Sequence, residues 1–88
     1  MSMKIAERIE VDPNICHGKP RIAGTRIIVE QVLDLLAAGI PITEITSDEY
    51  FPDLSKEDIL ACVAFANRLL KDEEIHIYEP GISGRMSA

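Results

Sequence analysis

SKEDILACVAFANRLLK, residues 55–71, is the stretch whose reading decides the fold. Ile59, Cys62, Val63, Ala66, Leu69 and Leu70 recur at three- and four-residue spacing, which places them on one face of an α-helix. Asn67, Arg68 and Lys71 fall on or near the wet side, and the cations near the end suit the negative pole of the helix dipole. Ser55 stands where an N-cap is needed, and Asp58 three residues later completes a capping-box-like pair.

A second helical period precedes it. Val29, Val32, Leu33, Leu36 and Ile40 share a face, with Glu30, Gln31 and Asp34 opposite, and Gly39 followed by Pro41 is a stop signal. Between the two, a short helix is expected over residues 42–49, presenting Ile42, Ile45 and Tyr50 inward. Pro52 holds Phe51 out of helical geometry. Upstream of residue 29 the pattern changes. Ile9-Glu10-Val11 alternates as a strand does, Asp12-Pro13-Asn14 has turn chemistry, and Gly18-Lys19-Pro20 is a further break. Residues 21–29 read as two short extended pieces about a turn at Ala23-Gly24, with Gly24 at positive φ. The fold class is therefore α+β: short N-terminal strands or a hairpin, then a three-helix, helix-turn-helix-like bundle. One domain is expected over residues 1–75, with a β-rich head at 5–29 and a helical body at 29–72. A tail over 75–88 begins with the β-prone Ile75-His76-Ile77-Tyr78.

The 88 residues suffice for one small core, and 47% hydrophobic with 27% charged residues is a globular composition. A formal charge of -6 excludes nucleic-acid binding driven by total charge. That charge is unevenly placed. Residues 1–27 hold Lys4, Arg8, Lys19, Arg21 and Arg26 against Glu7, Glu10 and Asp12, a net +2, which leaves -8 for the rest. No run of about 18 apolar residues is present, so a membrane role is not expected and a cytoplasmic location with two free thiols is.

The chemistry-bearing residues are few. Cys16, His17, Cys62 and His76 match no common zinc spacing, and Cys62 lies in an apolar run that reads as core. Gly18-Lys19-Pro20 lacks the Lys-Ser/Thr and the helix of a phosphate loop. Cys16 and His17, adjacent on an extended segment, would face opposite ways and make a poor nucleophile pair. Asp48-Glu49 and Glu57-Asp58 sit at helix ends, where acids cap or are solvated. No cofactor, metal or catalytic set is implied. Lys19, Arg21 and Arg26, within eight residues, could follow a phosphate backbone, with Lys56 as a fourth cation. The alternative is solvated cations paired with Glu7, Glu10 or Asp12. Ile75, Ile77 and Tyr78 are candidate contacts for a protein partner, and the acids around them suit a basic groove.

Residues 8–13 (RIEVDP) and 15–27 (ICHGKPRIAGTRI) closely resemble the opening of domain-of-unknown-function family 433, with its Asp-Pro turn, Gly-Lys-Pro and Gly-Thr-Arg. Residues 35–39 (LLAAG) and 51–59 (FPDLSKEDI) are similar to its later blocks, so the resemblance spans roughly residues 8–70. Two departures, Pro41 in place of a Ser or Thr cap and the longer Tyr50-Phe51-Pro52, fall on the second helix and its connection. The resemblance implies a helix-turn-helix-like, non-enzymatic antitoxin of a type II toxin–antitoxin pair. Its expected partners are a PIN-like ribonuclease toxin and operator DNA; the exposed strand edges separately suggest a second copy, paired through the β-rich head. The residues alone leave a second expectation open: a protein-interaction or oligomerisation module with no DNA role.

Overall fold

A computed structural model describes residues 1–73. Three antiparallel strands come first: β1 (Met3–Ala6), β2 (Ile9–Val11) and β3 (Arg21–Ile22), in the order β1-β2-β3. Three helices follow: α1 (Val29–Ala37), the single turn α2 (Ile42–Ile45) and α3 (Lys56–Glu73). The α+β expectation is met at this level.

β1 was not anticipated, because Met3-Lys4-Ile5-Ala6 is too short to show a period. It pairs with β2 through Met3–Val11, Lys4–Glu10 and Ala6–Ile9, with an irregularity between Lys4 and Ala6 and Arg8 at φ 66 in the connecting turn. The turn chemistry of residues 12–14 is realised. The Asp12 carboxylate accepts the Asn14 N–H at 2.9 Å, and the Ile15 N–H donates to the Asp12 carbonyl at 3.0 Å. A 3-10 turn at Cys16–Gly18 then puts three consecutive residues at positive φ: 53, 56 and 77. For the two non-glycine residues this costs roughly 1–2 kcal/mol each. Hydrogen bonds from Gly18 N to Ile15 O and from Lys19 N to Cys16 O, both 3.0 Å, offset that cost. The turn at Ala23-Gly24 is as expected. Gly24 has φ 78, Ile22 N donates to Ile27 O at 2.9 Å, and Arg21 bridges Ile28.

α1 ends in a Schellman arrangement: Gly39 N–H to Leu36 O at 2.9 Å, Ile40 N–H to Leu35 O at 3.1 Å, with Gly39 at φ 89. α2 stops at Ile45 rather than Glu49, and Tyr50 is exposed instead of inward. The reason is local. Thr46 Oγ1 and Ser47 Oγ donate to the Ile42 and Glu44 carbonyls at 2.9 and 2.6 Å, and Phe51 N–H closes onto Ile45 O at 2.9 Å. Ser55 and Asp58 form the reciprocal cap of α3, Ser55 N–H to Asp58 Oδ2 at 2.9 Å and Asp58 N–H to Ser55 Oγ at 3.2 Å.

The core is Ile9, Ile22, Val29, Val32, Ile45, Leu54, Ile59 and Cys62, with Leu33, Leu36, Ile40, Phe51 and Phe65 packed around it. Each strand or helix except β1 supplies at least one of the eight. On α3 the burial ends at Cys62. Val63, Leu69 and Leu70, expected in the core stripe, are 42, 49 and 61% exposed: Leu69 and Leu70 lie beyond the reach of the shorter elements beneath, whereas Val63, next to the buried Cys62, is turned off the core face. Among the described residues, no helix is long and apolar enough to cross a membrane.

Candidate partner-binding and nucleic-acid surfaces

The four cations singled out from sequence do not form one patch. Arg21 is buried at 4% exposure. Its guanidinium meets Glu10 at 3.1 Å, donates to the Thr25 carbonyl at 2.7 Å and to Ser2 Oγ at 2.8 Å. Antiparallel register explains this, since Glu10 and Arg21 stand directly opposite on β2 and β3. Arg21 therefore holds the sheet and presents no charge outward, which takes it out of a DNA-contacting surface. Pairing with Glu10 is what the alternative reading of the cations anticipated.

Lys19 is exposed and meets Glu30 at 3.2 Å, an acid outside the head. Arg26 is exposed and has no ion-pair partner among the described residues. The two lie on neighbouring loops, because Cys16 Sγ donates to the Arg26 carbonyl at 3.4 Å and so ties the left-handed turn before Lys19 to the turn carrying Arg26. Lys56, exposed on the first turn of α3, is flanked there by Glu57 and Asp58. No hydrogen bond or ion pair among the described residues joins it to Lys19 or Arg26.

The apolar surface is more developed. A groove of about 350 Å³ runs between the start of α1 and the second half of α3, with Pro20, Val29, Leu33, Phe65 and Leu69 in its wall. Lys19 and Glu30, the surface ion pair, also border it. Sequence reasoning places Val29, Leu33 and Leu69 on apolar helix faces and gives no core position to Pro20 or Phe65. The signal it could have used is length: α3 has 18 residues and α1 only nine, so half of its stripe has no helix to cover it. Ile75, Ile77 and Tyr78, the other partner contacts expected from sequence, lie outside the described residues.

Among the described residues, Asp12 and Cys62 are displaced from their ordinary behaviour. The Asn14 N–H holds the Asp12 carboxyl below the usual carboxylate range, despite partial burial, with Ser2 and the terminal ammonium assisting. Burial, together with the Asp58 charge, pushes the Cys62 thiol up to about 11, so it is an inert filler. Among the described residues no three His, Cys, Asp or Glu side chains are grouped to hold a metal ion.

A family model described as a protein of unknown function, DUF433, matches residues 9–66. No curated protein and no solved structure matches the chain.

Proposed function

Given that the chain belongs to the DUF433 family, we propose that it is a non-enzymatic, antitoxin-like protein that acts as a homodimer and sequesters a PIN-like ribonuclease toxin. The observation that carries this reading is the second half of α3, where Leu69 and Leu70 stay exposed beside an apolar groove. An unpartnered stripe on a helix is a surface for another protein. In this reading Ile75, Ile77 and Tyr78, which lie outside the described residues, belong to the same contact. The strongly acidic composition of residues 28–88 complements the basic groove of an RNA-cutting enzyme.

Operator binding for autorepression is the second part of the proposal. α2, the connection and α3 act as a helix-turn-helix-like unit, while Lys19 and Arg26 contact phosphates, with Lys56 as an auxiliary cation. Arg21 is left out because its charge is spent on Glu10. The reading without DNA has its own support in the same ion pair and in the acids beside Lys56.

Co-expression with the product of the neighbouring gene tests the first part. Leu69→Asp is expected to fold normally and to lose the nuclease; retention of the nuclease by that variant removes the α3 groove from the proposal. Gel shifts on promoter DNA test the second part. Lys19→Glu with Arg26→Glu should weaken binding and flatten its salt dependence by about two phosphate contacts. An unchanged shift favours the module without a DNA role.

A further inference from the structure

A different face of α3 carries an acid near one end and a base near the other. Beside the core stripe, Glu57, Leu60, Ala61, Ala64, Phe65 and Arg68 line a groove of about 320 Å³ whose other wall is the β1–β2 turn at Ala6–Arg8. Glu57, Ala61, Ala64 and Arg68 follow one another at steps of four, three and four, the spacing of a coiled-coil seam. Leu60, 47% exposed, and Phe65 flank that seam on its two sides. Ala61 and Phe65 are partly covered by this chain's own core, whereas Glu57, Leu60, Ala64 and Arg68 stay exposed.

We propose that this face is the homodimer interface, two α3 helices packing antiparallel about a two-fold axis that passes level with the Cys62–Val63 peptide. In that arrangement Ala61 lies level with Ala64 of the second copy, so the two backbones can approach closely where they cross. Glu57 lies level with Arg68 of the second copy, at both ends of the seam by symmetry. Among the described residues neither Glu57 nor Arg68 has an ion-pair partner within its own chain, whereas the neighbouring Arg8 is already held by Asp58 at 3.1 Å. A parallel pairing would set Glu57 against Glu57 and Arg68 against Arg68. Charge therefore selects both the second copy and its direction. The seam from Glu57 to Arg68 is about 17 Å long at 1.5 Å per residue. A contact of that length falls short of the ~800 Å² per partner typical of specific, stable complexes, so the dimer is concentration-dependent.

The proposal deepens the homodimer part of the reading above, rests on it, and moves the interface from the strand edges to α3. Light scattering on the full chain over a micromolar-to-millimolar series should show a mass rising from one chain to two. Glu57→Arg and Arg68→Glu should each weaken self-association about tenfold or more, since each sets like charges level across the axis. Mixing the two variants should restore a dimer, because each then offers the charge the other lacks. Circular dichroism confirms that each variant is folded, and Ala64→Trp, at an exposed position, should block the dimer without touching the cap of α3. A wild-type chain that stays monomeric throughout overturns both this interface and the homodimer. A dimer that survives both single charge reversals and Ala64→Trp overturns the interface alone and returns the contact to another face, such as the open edge of β1. Nuclease capture by the monomeric variants separates either failure from that of the antitoxin reading.

Discussion

Arg21 illustrates how one residue changes meaning when its neighbours are known. In the sequence it is one of three cations in a turn-rich segment; in the fold it is a buried ion-pair partner with a fixed set of acceptors. Arg21→Ala is expected to destabilise the domain by about 2–3 kcal/mol, because Glu10 would be left partly buried without its partner. Lys19→Ala and Arg26→Ala, at exposed positions, should leave the melting temperature nearly unchanged. Thermal denaturation of the three variants side by side checks this. Asp12 predicts the acid behaviour. Its native pKa is lowered, so its contribution to stability is present above the unfolded value of about 3.9 and is lost as pH falls through the lower native value. Melting temperatures at pH 6 and pH 3 should converge in Asp12→Asn relative to the parent. Thiol chemistry separates the two cysteines: Cys16 is half-buried and Cys62 fully buried. A thiol reagent at pH 8 should titrate one group in the native protein and two after denaturation.

Local grammar governs the elements, and it was largely readable. The Ser55–Asp58 cap, the Gly39 stop and the Gly24 turn each depend on residues within five positions of one another, so their geometry is a property of the segment. Ser55→Ala should cost about 1 kcal/mol through the lost cap. Gly39→Ala should cost a similar amount because φ 89 is strained for a residue with a Cβ, although open space surrounds it. Urea unfolding of both variants measures these. Where the reading failed, the cause was competition at short range. Thr46 and Ser47 draw the α2 carbonyls to their own hydroxyls and end that helix four residues early. The left-handed turn at Cys16–Gly18 had no signal beyond Gly18, since Cys16 and His17 are not residues that favour positive φ.

Across the whole molecule, the eight-residue core lies between Ile9 and Cys62, and nothing after Cys62 is fully buried among the described residues. Removal of residues 74–88 should therefore leave the cooperative melt within a few degrees of the parent, while capture of a nuclease falls. Calorimetry and co-purification on the same sample give both answers. Sequence by itself determined the element types, the order of strands before helices and the family, because periodicity, caps and turn residues act within a few positions. It also marked α3 as apolar along its length. Only the tertiary structure decided which of those apolar residues are covered, which cations remain outside and which side of α3 is open. Those outcomes depend on how far each element extends and on which residues stand opposite across a strand pair or a helix contact. A nine-residue α1 cannot cover an 18-residue α3, and Glu10 neutralises Arg21 only because β2 and β3 meet in that register.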